Sequence, residues 1–340
     1  MKLSVLSQND ELLYEKFLLS MDDSLLYYSL AYKSFLQDLL GCQAEYWIAR
    51  EGDRVLGVLP MMWCDGPYGR VANSLPYYGS CGGVIAITSE AADALTQKYN
   101  ELACAPGVLA STWINHPLRR LEHQPKHAYV DERIGQFTSL EWEASDTEAA
   151  MRATIESSAR RNIRKAETSG VTVRQANDEF DIIYRVHTEN MAEINGKAKS
   201  KEFFAKIPRH FKANKDYRIY VAERNGRVIS GLLLFYFNKT VEYFTPVTIS
   251  SERENQPMAL ILANAMVDAA RAGFTRWNWG GTWLSQDGVL RFKRKWGAAE
   301  QRYQYFVQLN LPKILDCTRS ELIRAYPDFF VVPFRYLKTA

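Results

Sequence analysis

The sequence lacks the long apolar segments of membrane-spanning proteins, and its first 17 residues carry acidic side chains where a signal peptide needs an apolar core. We therefore expect a cytoplasmic protein. Its five cysteines form no C-x-x-C pair and have no histidine at metal-ligand spacing. We expect neither a zinc site nor a disulfide framework, and the odd number of cysteines fits a reducing compartment.

Excess charge of one sign is also missing. The formal net charge of +3 is too small to indicate nucleic-acid binding by itself, and we expect no DNA partner. Apolar residues, in contrast, are plentiful: 47% of the 340 residues are hydrophobic and 24% are charged, which is enough to build sizeable cores. A chain of this length favours two domains over one.

Two β-hairpins organise the predicted fold. The first includes Trp47–Leu59, and the second runs through Tyr217–Phe237 with a turn at Asn225-Gly226, where a type I′ geometry requires positive φ at both residues. A helical region precedes each hairpin, and a strand and a helix follow it. We therefore predict two copies of one α/β (α+β) unit, each a mixed, mostly antiparallel sheet flanked by helices. The alternative is that any two hairpins look alike.

A helix-start signal places the boundary between the two copies. Ser145 and Glu148 have the spacing of a capping box, in which each side chain accepts from the backbone of the other. The predicted domains are therefore residues 1–144 and residues 145–313. A tail, residues 314–340, is expected to pack on the second domain, and contact with a membrane surface or a partner is the alternative.

Each predicted unit has one helix with clear end signals. In the first unit, Ser89 is expected to cap an amphipathic helix. In the second, Pro257 is expected to start a helix that is apolar nearly all the way round and ends at Gly273. Such a helix should be buried in the core of its unit.

The stretch Gly273–Tyr305 is the most distinctive part of the chain. It reads as a strand, a Gly280-Gly281 loop and a short helix. By i, i+3, i+7 spacing, one face of that helix carries Val289, Phe292 and Trp296. Lys293 lies beside this face, so its stem can cover apolar surface while its ammonium reaches a cleft and stabilises an oxyanion. A solvated lysine in the basic run Arg291–Lys295 is the alternative.

Aromatic residues surround this stretch. Trp277 and Trp279 lie on one face of the strand, where they could stack on a base or a sugar, although core packing is the commoner role. We include Trp279, Gly280 and Gly281 among the predicted substrate-binding residues. His187 and His210 are candidate general bases, and nothing in the sequence selects either.

Two basic clusters could bind phosphate groups. Through i, i+4 spacing, one helix gathers Arg160, Arg161, Arg164 and Lys165. A loop carries Lys197, Lys199 and Lys201. Either cluster could hold a nucleotide-sugar diphosphate or the end of a tRNA, and a solvated surface is the alternative.

Three motifs point to a family: Arg161–Val171, Asn278–Gly281, and Leu290–Lys293 with the following Trp296-Gly297. With these motifs the chain resembles the FemAB-type branch of the GNAT acyltransferase superfamily, whose members carry two GNAT-like domains in tandem. The match extends over most of the chain, from about Tyr46 to Tyr305.

The resemblance implies the transfer of an acyl or aminoacyl group from an activated donor to an amine, without a permanently bound cofactor. The donor would be aminoacyl-tRNA or acyl-CoA. The acceptor would be an amino group of a nucleotide-linked sugar or a peptidoglycan-type precursor. The resemblance carries the oxyanion role over to Lys293, with Phe292 as its packing partner. It also suggests Tyr243 on the third strand of the second hairpin sheet, and Lys199 with Phe203 as a phosphate-binding pair.

One segment departs from simple GNAT acetyltransferases, which hold the CoA pyrophosphate on a Gly-rich loop before the central helix. The corresponding segment, Ser250–Pro257, has no glycine and carries two carboxylates. Aminoacyl-tRNA is therefore the preferred donor over acyl-CoA. A catalytically inactive scaffold and a sequence-independent RNA-binding module are the alternatives outside the enzyme class.

Overall fold

The computed structural model describes residues 1–77, 81–121, 123–142 and 145–338. The chain forms two compact units. Unit 1 comprises Met1–Ile134 and Gln301–Ala340, and unit 2 comprises Gly135–Glu300. The predicted domain boundary at Ala144 lies outside the described residues and stays a prediction.

The strands and helices follow one another as the sequence suggested in outline. The strands are β1 (Lys2–Val5), β2 (Gln43–Ala44), β3 (Trp47–Glu51), β4 (Arg54–Leu59), β5 (Met62–Gly66), β6 (Gly69–Asn73), β7 (Ile85–Ala86), β8 (Val108–Ile114), β9 (Tyr129–Ser139), β10 (Thr172–Gln175), β11 (Tyr217–Arg224), β12 (Arg227–Phe237), β13 (Thr240–Thr248), β14 (Arg276–Trp283) and β15 (Ala299–Leu309). The helices are α1 (Glu11–Leu19), α2 (Leu30–Leu40), α3 (Ser89–Ala103), α4 (Thr147–Thr154), α5 (Ser157–Thr168), α6 (Phe180–Glu193), α7 (Lys201–His210), α8 (Pro257–Arg271), α9 (Asp287–Arg294) and α10 (Arg319–Ala325). None of the helices in the described ranges is long and apolar enough to cross a membrane.

Unit 2 is built on one mixed sheet with the strand order β10-β11-β12-β13-β14-β9, to which β9 contributes its residues after Ile134. Strands β10 to β13 pair antiparallel, and β13 pairs parallel with β14. Helix α8 packs on β11 and β12, and α4 and α5 pack on α8. The predicted apolar helix is confirmed, since α8 starts at Pro257 and its buried residues join the core cluster of the sheet.

Strands β13 and β14 diverge after a short parallel pairing. Only three residue pairs join them, and the last is Glu242 with Asn278. Beyond that pair, β13 continues to Thr248 and β14 to Trp283, with no further pairing between them among the described residues. The divergence leaves backbone groups at the end of β14 available for other partners.

Unit 1 contains two sheets. One has the order β1-β3-β4-β7, and the other contains the run β15-β8-β6-β5-β2. Helix α3 packs on β3 and β4, and its buried Leu95 and Tyr99 meet Trp113 of β8 in one core cluster. Unit 1 therefore has a hydrophobic core of its own.

The two hairpins match in detail. A β-bulge follows Ala49 in the first hairpin and Ala222 in the second. The pairs from bulge to turn are Ala49 with Gly57, Arg50 with Val55 and Glu51 with Arg54 in unit 1, and Ala222 with Ser230, Glu223 with Val228 and Arg224 with Arg227 in unit 2. The offsets are the same, which goes beyond the likeness of any two hairpins. The predicted turn is also confirmed, since φ is 52° at Asn225 and 71° at Gly226.

Two predicted helix caps are wrong by one residue. Helix α3 is capped by Thr88, whose hydroxyl accepts from the Ala91 N–H, and Ser89 is its first helical residue. Helix α4 is capped by Asp146 rather than Ser145, because the Asp146 carboxylate accepts from two N–H groups of the first turn. In both cases a better-placed oxygen stands next to the predicted one.

The prediction that the C-terminal tail packs on the second domain is wrong. Residues 301–338 belong to unit 1. The Tyr326 hydroxyl donates to the Gly69 carbonyl (2.9 Å), and the Phe330 N–H donates to Asn73 (2.8 Å). The sequence shows aromatic residues in this tail and does not show which surface has room for them.

Candidate active site

Helix α9 places Lys293 beneath the diverging end of β14. The Lys293 side chain is only 5% exposed. Its Nζ donates to the Thr282 Oγ1 at 2.6 Å and to the Gly280 carbonyl at 3.3 Å. Both acceptors lie on the part of β14 that no longer pairs with β13. The divergence of the strands therefore supplies the lysine with its partners.

The surroundings of Lys293 favour loss of its charge. Burial lowers the pKa of the Lys293 ammonium to about 8, because a desolvated cation is less stable than a neutral amine. Both of its hydrogen-bond partners are neutral oxygens, and no carboxylate pairs with it among the described residues. An ammonium has three donors, so two are used and one remains for a ligand.

Asn278 connects Glu242 of β13 to Gly280 of β14. Its Nδ2 donates to the Glu242 carboxylate (2.8 Å), and its Oδ1 accepts from the Gly280 N–H (2.8 Å). Gly280 has a φ of 74°, a region that suits glycine and few other residues. The predicted Gly280-Gly281 loop is wrong, because β14 runs through both glycines. Asn278 thus fixes the backbone at Gly280, whose carbonyl accepts from Lys293.

An aromatic wall packs beside the lysine. The ring centre of Trp279 lies 4.9 Å from Tyr243, 6.1 Å from Phe292 and 6.5 Å from Trp296. Trp279 is almost fully buried, and its Nε1 donates to the Thr138 hydroxyl (2.9 Å). Burial raises the pKa of the Tyr243 hydroxyl, so this phenol stays neutral. Trp279 is therefore a core residue that supports the site, and its predicted stacking on a ligand is not favoured.

The predicted face of α9 is wrong in part. Trp296 is buried, but Val289 is 42% exposed and Phe292 is 36% exposed. The helix instead buries Leu290 and Lys293. Apolar spacing does not predict this buried face. Lys293 is buried because the hydrogen bonds to oxygens on β14 offset the free-energy cost of burying its ammonium.

Strand β9 bonds to α9 and to the residues just after it. The Thr138 hydroxyl donates to the Trp296 carbonyl (2.9 Å), and the Gln136 side-chain amide donates to the Leu290 carbonyl (3.2 Å). The Leu290 carbonyl lies within the helix, and the Trp296 carbonyl lies just beyond its C-terminal end, where helical N–H partners run out. The helix that carries Lys293 is thereby held at a fixed position against its own unit.

Lys199 and Phe203 form a second group in unit 2. Lys199 Nζ lies 5.4 Å from the ring centre of Phe244 and 5.9 Å from that of Phe203, and burial lowers its pKa to about 8. Phe244 packs against Phe203 and Phe235, whereas Tyr243 packs against Trp277 and Trp279, so this group lies on the opposite face of β13 from the aromatic wall. The structure does not bring Lys199 into the Lys293 cluster.

His187 has a structural role in this second group. It is 6% exposed, and its Nε2 accepts from the Lys199 backbone N–H at 3.0 Å. Burial and the nearby Lys199 lower the pKa of His187 to about 4, so the ring is neutral at neutral pH. Since the basic nitrogen already accepts a hydrogen bond, His187 is not a suitable general base.

The basic cluster on α5 divides into two parts. Arg160 donates to the carbonyls of Arg152 and Ile155, and so closes the C-terminal end of α4. The other three residues are exposed and have no ion pair among the described residues: Arg161, Arg164 and Lys165. The helix buries Ala159, Ile163 and Ala166 against the core. The cluster therefore offers three positive charges to solvent.

The segment before α8 is poorly suited to a pyrophosphate. It forms a 3₁₀ helix over Ser250–Asn255, and Arg253 is paired with Glu193. Pro257 at the start of α8 removes one of the N–H groups that could bind an anion. The Asn190 side chain also bonds both the N–H and the carbonyl of Thr248 at the end of β13 (3.1 and 3.0 Å). The backbone edge of β13 is therefore occupied at this point.

Sequence reasoning did not assign roles to Thr282, Asn278 and Glu242. Thr282 and Glu242 are both buried polar residues. Asn278 lies within one of the motifs that carry the family resemblance. It precedes Gly280 by two residues, a spacing at which its side chain can accept from the Gly280 backbone N–H. That spacing was the available signal. The others depend on contacts between segments distant in the chain.

Replacing Asn278 by leucine, which has a similar volume, is expected to loosen the site. The Glu242 carboxylate and the Gly280 N–H would each lose a partner, which costs about 1–3 kcal/mol for a buried group. We expect the free energy of unfolding to fall by that amount, and the rate of acyl transfer to fall at least about tenfold. Urea denaturation and a rate assay measure the two effects.

Asn264→Ala is the matched control for this variant. Among the described residues, the Asn264 side chain bonds only to Leu260 of its own helix. We expect it to change both quantities little. Equal rates for Asn278→Leu and the unaltered protein would contradict the positioning role of Asn278.

The sequence of residues 153–294 matches the family described as acetyltransferase (GNAT) domain. No match was found among curated proteins. The matched segment lies within unit 2 and includes the diverging strands β13 and β14. The matched segment does not include unit 1, so only the fold can be used to compare unit 1 with other proteins.

The fold of the chain is similar to that of FemX. Its crystal structure has a TM-score of 0.69 at 14% identity, over 92% of this chain and 99% of that one. The C-terminal domain of a putative lysylphosphatidylglycerol synthetase from Agrobacterium fabrum has a similar fold, with a TM-score of 0.56 at 11% identity, over 95% of this chain and 99% of that one. A tandem GNAT protein from the clavulanic acid biosynthesis pathway follows (TM-score 0.52, 12% identity, 91% and 98% coverage). The prediction of two tandem GNAT-like domains of the FemAB type is confirmed at the level of fold.

Proposed function

We propose that this protein forms an amide by transferring an aminoacyl or acyl group from an activated donor to an amino group of a cell-envelope or polysaccharide precursor. Lys293 stabilises the oxyanion in this reaction. The observation that carries the proposal is the buried Lys293 ammonium, which has two neutral partners and a third N–H to give.

The chemistry needs no covalent enzyme intermediate, because the donor is already an ester or a thioester. The amine nitrogen attacks the donor carbonyl carbon, and the carbonyl oxygen gains negative charge. The third N–H of Lys293 donates to that oxygen, in a site where few waters compete. The C–O or C–S bond then breaks, the alcohol or thiol leaves, and the nitrogen loses its proton. Amide product results.

Glu242 and Asn278 contribute by position. Together they fix the backbone at Gly280, whose carbonyl accepts from Lys293. The Lys293 ammonium therefore keeps a fixed direction during the reaction. A donor group that is fixed in advance costs no reorganisation when the oxyanion forms. Phe292, half-exposed next to Trp279, offers an apolar surface beside the reacting carbonyl. Tyr243 supports this surface from the core.

Basic side chains bind the phosphate groups of the substrates. Arg161, Arg164 and Lys165 present unpaired charge to solvent, which suits the phosphates of a tRNA end or of a nucleotide-linked acceptor. Lys199 sits among aromatic rings and suits a phosphate that approaches the other face of β13. Gly280 and Gly281 present backbone without side chains, so a substrate can come close.

Aminoacyl-tRNA is the proposed donor, with acyl-CoA as the alternative. The closed edge at Thr248 and the paired Arg253 leave little for a pantetheine or pyrophosphate to bind. We expect ribonuclease to abolish activity in a coupled assay. We also expect coenzyme A at millimolar concentration to leave the melting temperature within about 1 °C, since a ligand stabilises only in proportion to its binding.

The opposite pair of results would favour the thioester donor. In that case activity survives ribonuclease, and coenzyme A raises the melting temperature by several degrees. Free adenosine at the same concentration controls for nonspecific effects. The amide-forming role of Lys293 would stand under either donor.

The acceptor can be identified by mass spectrometry of envelope and small-molecule extracts. A deletion strain is expected to accumulate a precursor that lacks one acyl mass present in its parent. Supplying the unaltered chain restores the mass, and supplying Lys293→Met does not. Restoration by both would favour an inactive scaffold instead.

A further inference from the structure

Unit 1 contains a cleft of about 460 Å³ that the proposed acyl transfer does not use. It opens at the N-terminal end of α3, between that helix and the segment after β8. Its apolar lining comes from side chains on both sides: Val84, Ala86, Ile87, Leu118 and Leu121. This size and mixed lining are typical of small-molecule sites in proteins.

The helix end in this cleft has donors to spare. Thr88 caps α3 and accepts from the Ala91 N–H, while the backbone N–H groups of Ser89 and Glu90 have no acceptor among the described residues. Helix α3 has 15 residues, so its dipole places partial positive charge at this end. Anions are favoured there.

Two buried polar side chains also face the cleft without partners. Asn115 is 6% exposed and Thr96 is 9% exposed, and both line the cleft. Neither side chain makes a hydrogen bond within the described part of the chain. Their polar atoms are not sealed inside the core and are open to the cleft. A ligand in the cleft could therefore bond to both side chains.

The charges around the cleft are partly balanced. Arg119 pairs with Asp23 (2.7 Å), and His123 lies 2.7 Å from Asp93. Arg120 lines the same cleft, is exposed, and has no acidic partner among the described residues. One guanidinium therefore remains to join the helix end in binding an anion.

A second cleft of about 340 Å³ adjoins the first. The two share Asn115, Arg119, Arg120 and Leu121. Asn115 and Arg120 thus stand where the clefts meet. A ligand larger than a phosphate could extend from one cleft into the other.

From these features we infer that unit 1 binds a small phosphorylated molecule, with its phosphate on Arg120 and the N-terminal end of α3. The body of the molecule bonds to Asn115 and Thr96. Phosphate is favoured over a carboxylate because it can accept from the two helix N–H groups and a bidentate guanidinium at once. This site is independent of Lys293, so either proposal can fail alone.

The test uses the full chain with inorganic phosphate and with ribose 5-phosphate as probes, at constant ionic strength in sodium chloride. Isothermal titration calorimetry gives the affinity, and the melting temperature gives a second readout. We expect ribose 5-phosphate to bind more tightly than phosphate, and ribose not to bind. Arg120→Ala should weaken both phosphorylated probes at least about tenfold, as expected for loss of one charge-assisted contact.

Two further variants complete the design. Arg54→Ala removes an exposed arginine of unit 1 that lies outside the cleft, and should leave both affinities unchanged. Asn115→Leu replaces the unpartnered amide by an apolar group of similar volume, so it should keep the melting temperature while weakening ribose 5-phosphate at least about fivefold. No phosphate-specific binding, full binding by Arg120→Ala, or unchanged ribose 5-phosphate affinity in Asn115→Leu would each overturn the proposal.

Discussion

Replacing Lys293 by methionine is expected to lower the rate constant of acyl transfer by about 100- to 1000-fold, as found when one oxyanion donor is removed. Methionine keeps the length and apolar stem of lysine and lacks the ammonium. The substrate should still bind, because the exposed basic residues on α5 are unchanged. The loss should therefore appear in kcat far more than in KM.

Lys295→Met is the matched control for this variant. Lys295 follows two residues later in the same basic run, is half-buried, and has no ion pair among the described residues. It should retain activity within about twofold. If both variants lost the same activity, or neither lost any, Lys293 would not be the oxyanion donor.

The pH dependence of the reaction gives a second measure of the same role. The charged form of Lys293 donates to the oxyanion, and its pKa is about 8. We therefore expect kcat to fall as pH rises through about 8, in addition to any effect of the amine acceptor. In Lys293→Met this falling limb should be absent from the residual activity.

The same substitution is expected to stabilise the fold. In the native state burial holds the pKa of Lys293 at about 8, whereas an exposed lysine has a value of 10.5. The difference of about 2.5 units corresponds to about 3 kcal/mol of unfavourable free energy for the protonated form. Loss of the bonds to Thr282 and Gly280 offsets about 1 kcal/mol of the gain. Lys293→Met should therefore raise the free energy of unfolding by about 2 kcal/mol at pH 7.

The sign of the pH dependence follows from proton binding. Between pH 8 and 10.5 the unfolded chain binds a proton at Lys293 that the native state has lost. The contribution of Lys293 to stability therefore improves as pH rises through this window, and below pH 8 its full cost is present. The advantage of Lys293→Met should be largest below pH 8 and shrink toward pH 10.5.

Urea denaturation at pH 7 and at pH 9.5 measures this difference, with Lys295→Met as the control at both values. Constant stability differences across the two pH values would contradict a depressed pKa at Lys293. A gain in stability together with a loss of activity would identify a residue kept for function at the expense of the fold.

Local features of the fold could be predicted from the sequence. The Asn225-Gly226 turn and the apolar helix from Pro257 depend on residues close together in the chain, and both are confirmed. The internal repeat was visible as two similar hairpins, and the structure adds matching bulges after Ala49 and Ala222. Repeated local patterns survive into the structure because their geometry needs no distant partner.

The site was predictable only in outline. Lys293, Phe292, Trp279, Gly280 and Tyr243 do lie together. The buried face of α9 could not be read from apolar spacing, since a lysine is buried only when distant oxygens accept from it. The grouping of Lys199 with its phenylalanine neighbours, away from the Lys293 cluster, depends on which face of β13 each residue occupies.

The return of residues 301–338 to unit 1 has a consequence for synthesis on the ribosome. Unit 2 is one continuous segment, so all of its residues have been synthesised before residues 301–338 of unit 1 are made. Unit 1 cannot complete its tertiary structure until residues 301–338 have been made. Its first 134 residues stay incompletely folded while unit 2 is synthesised. Synthesis of unit 1 thus starts before that of unit 2 and is completed after it.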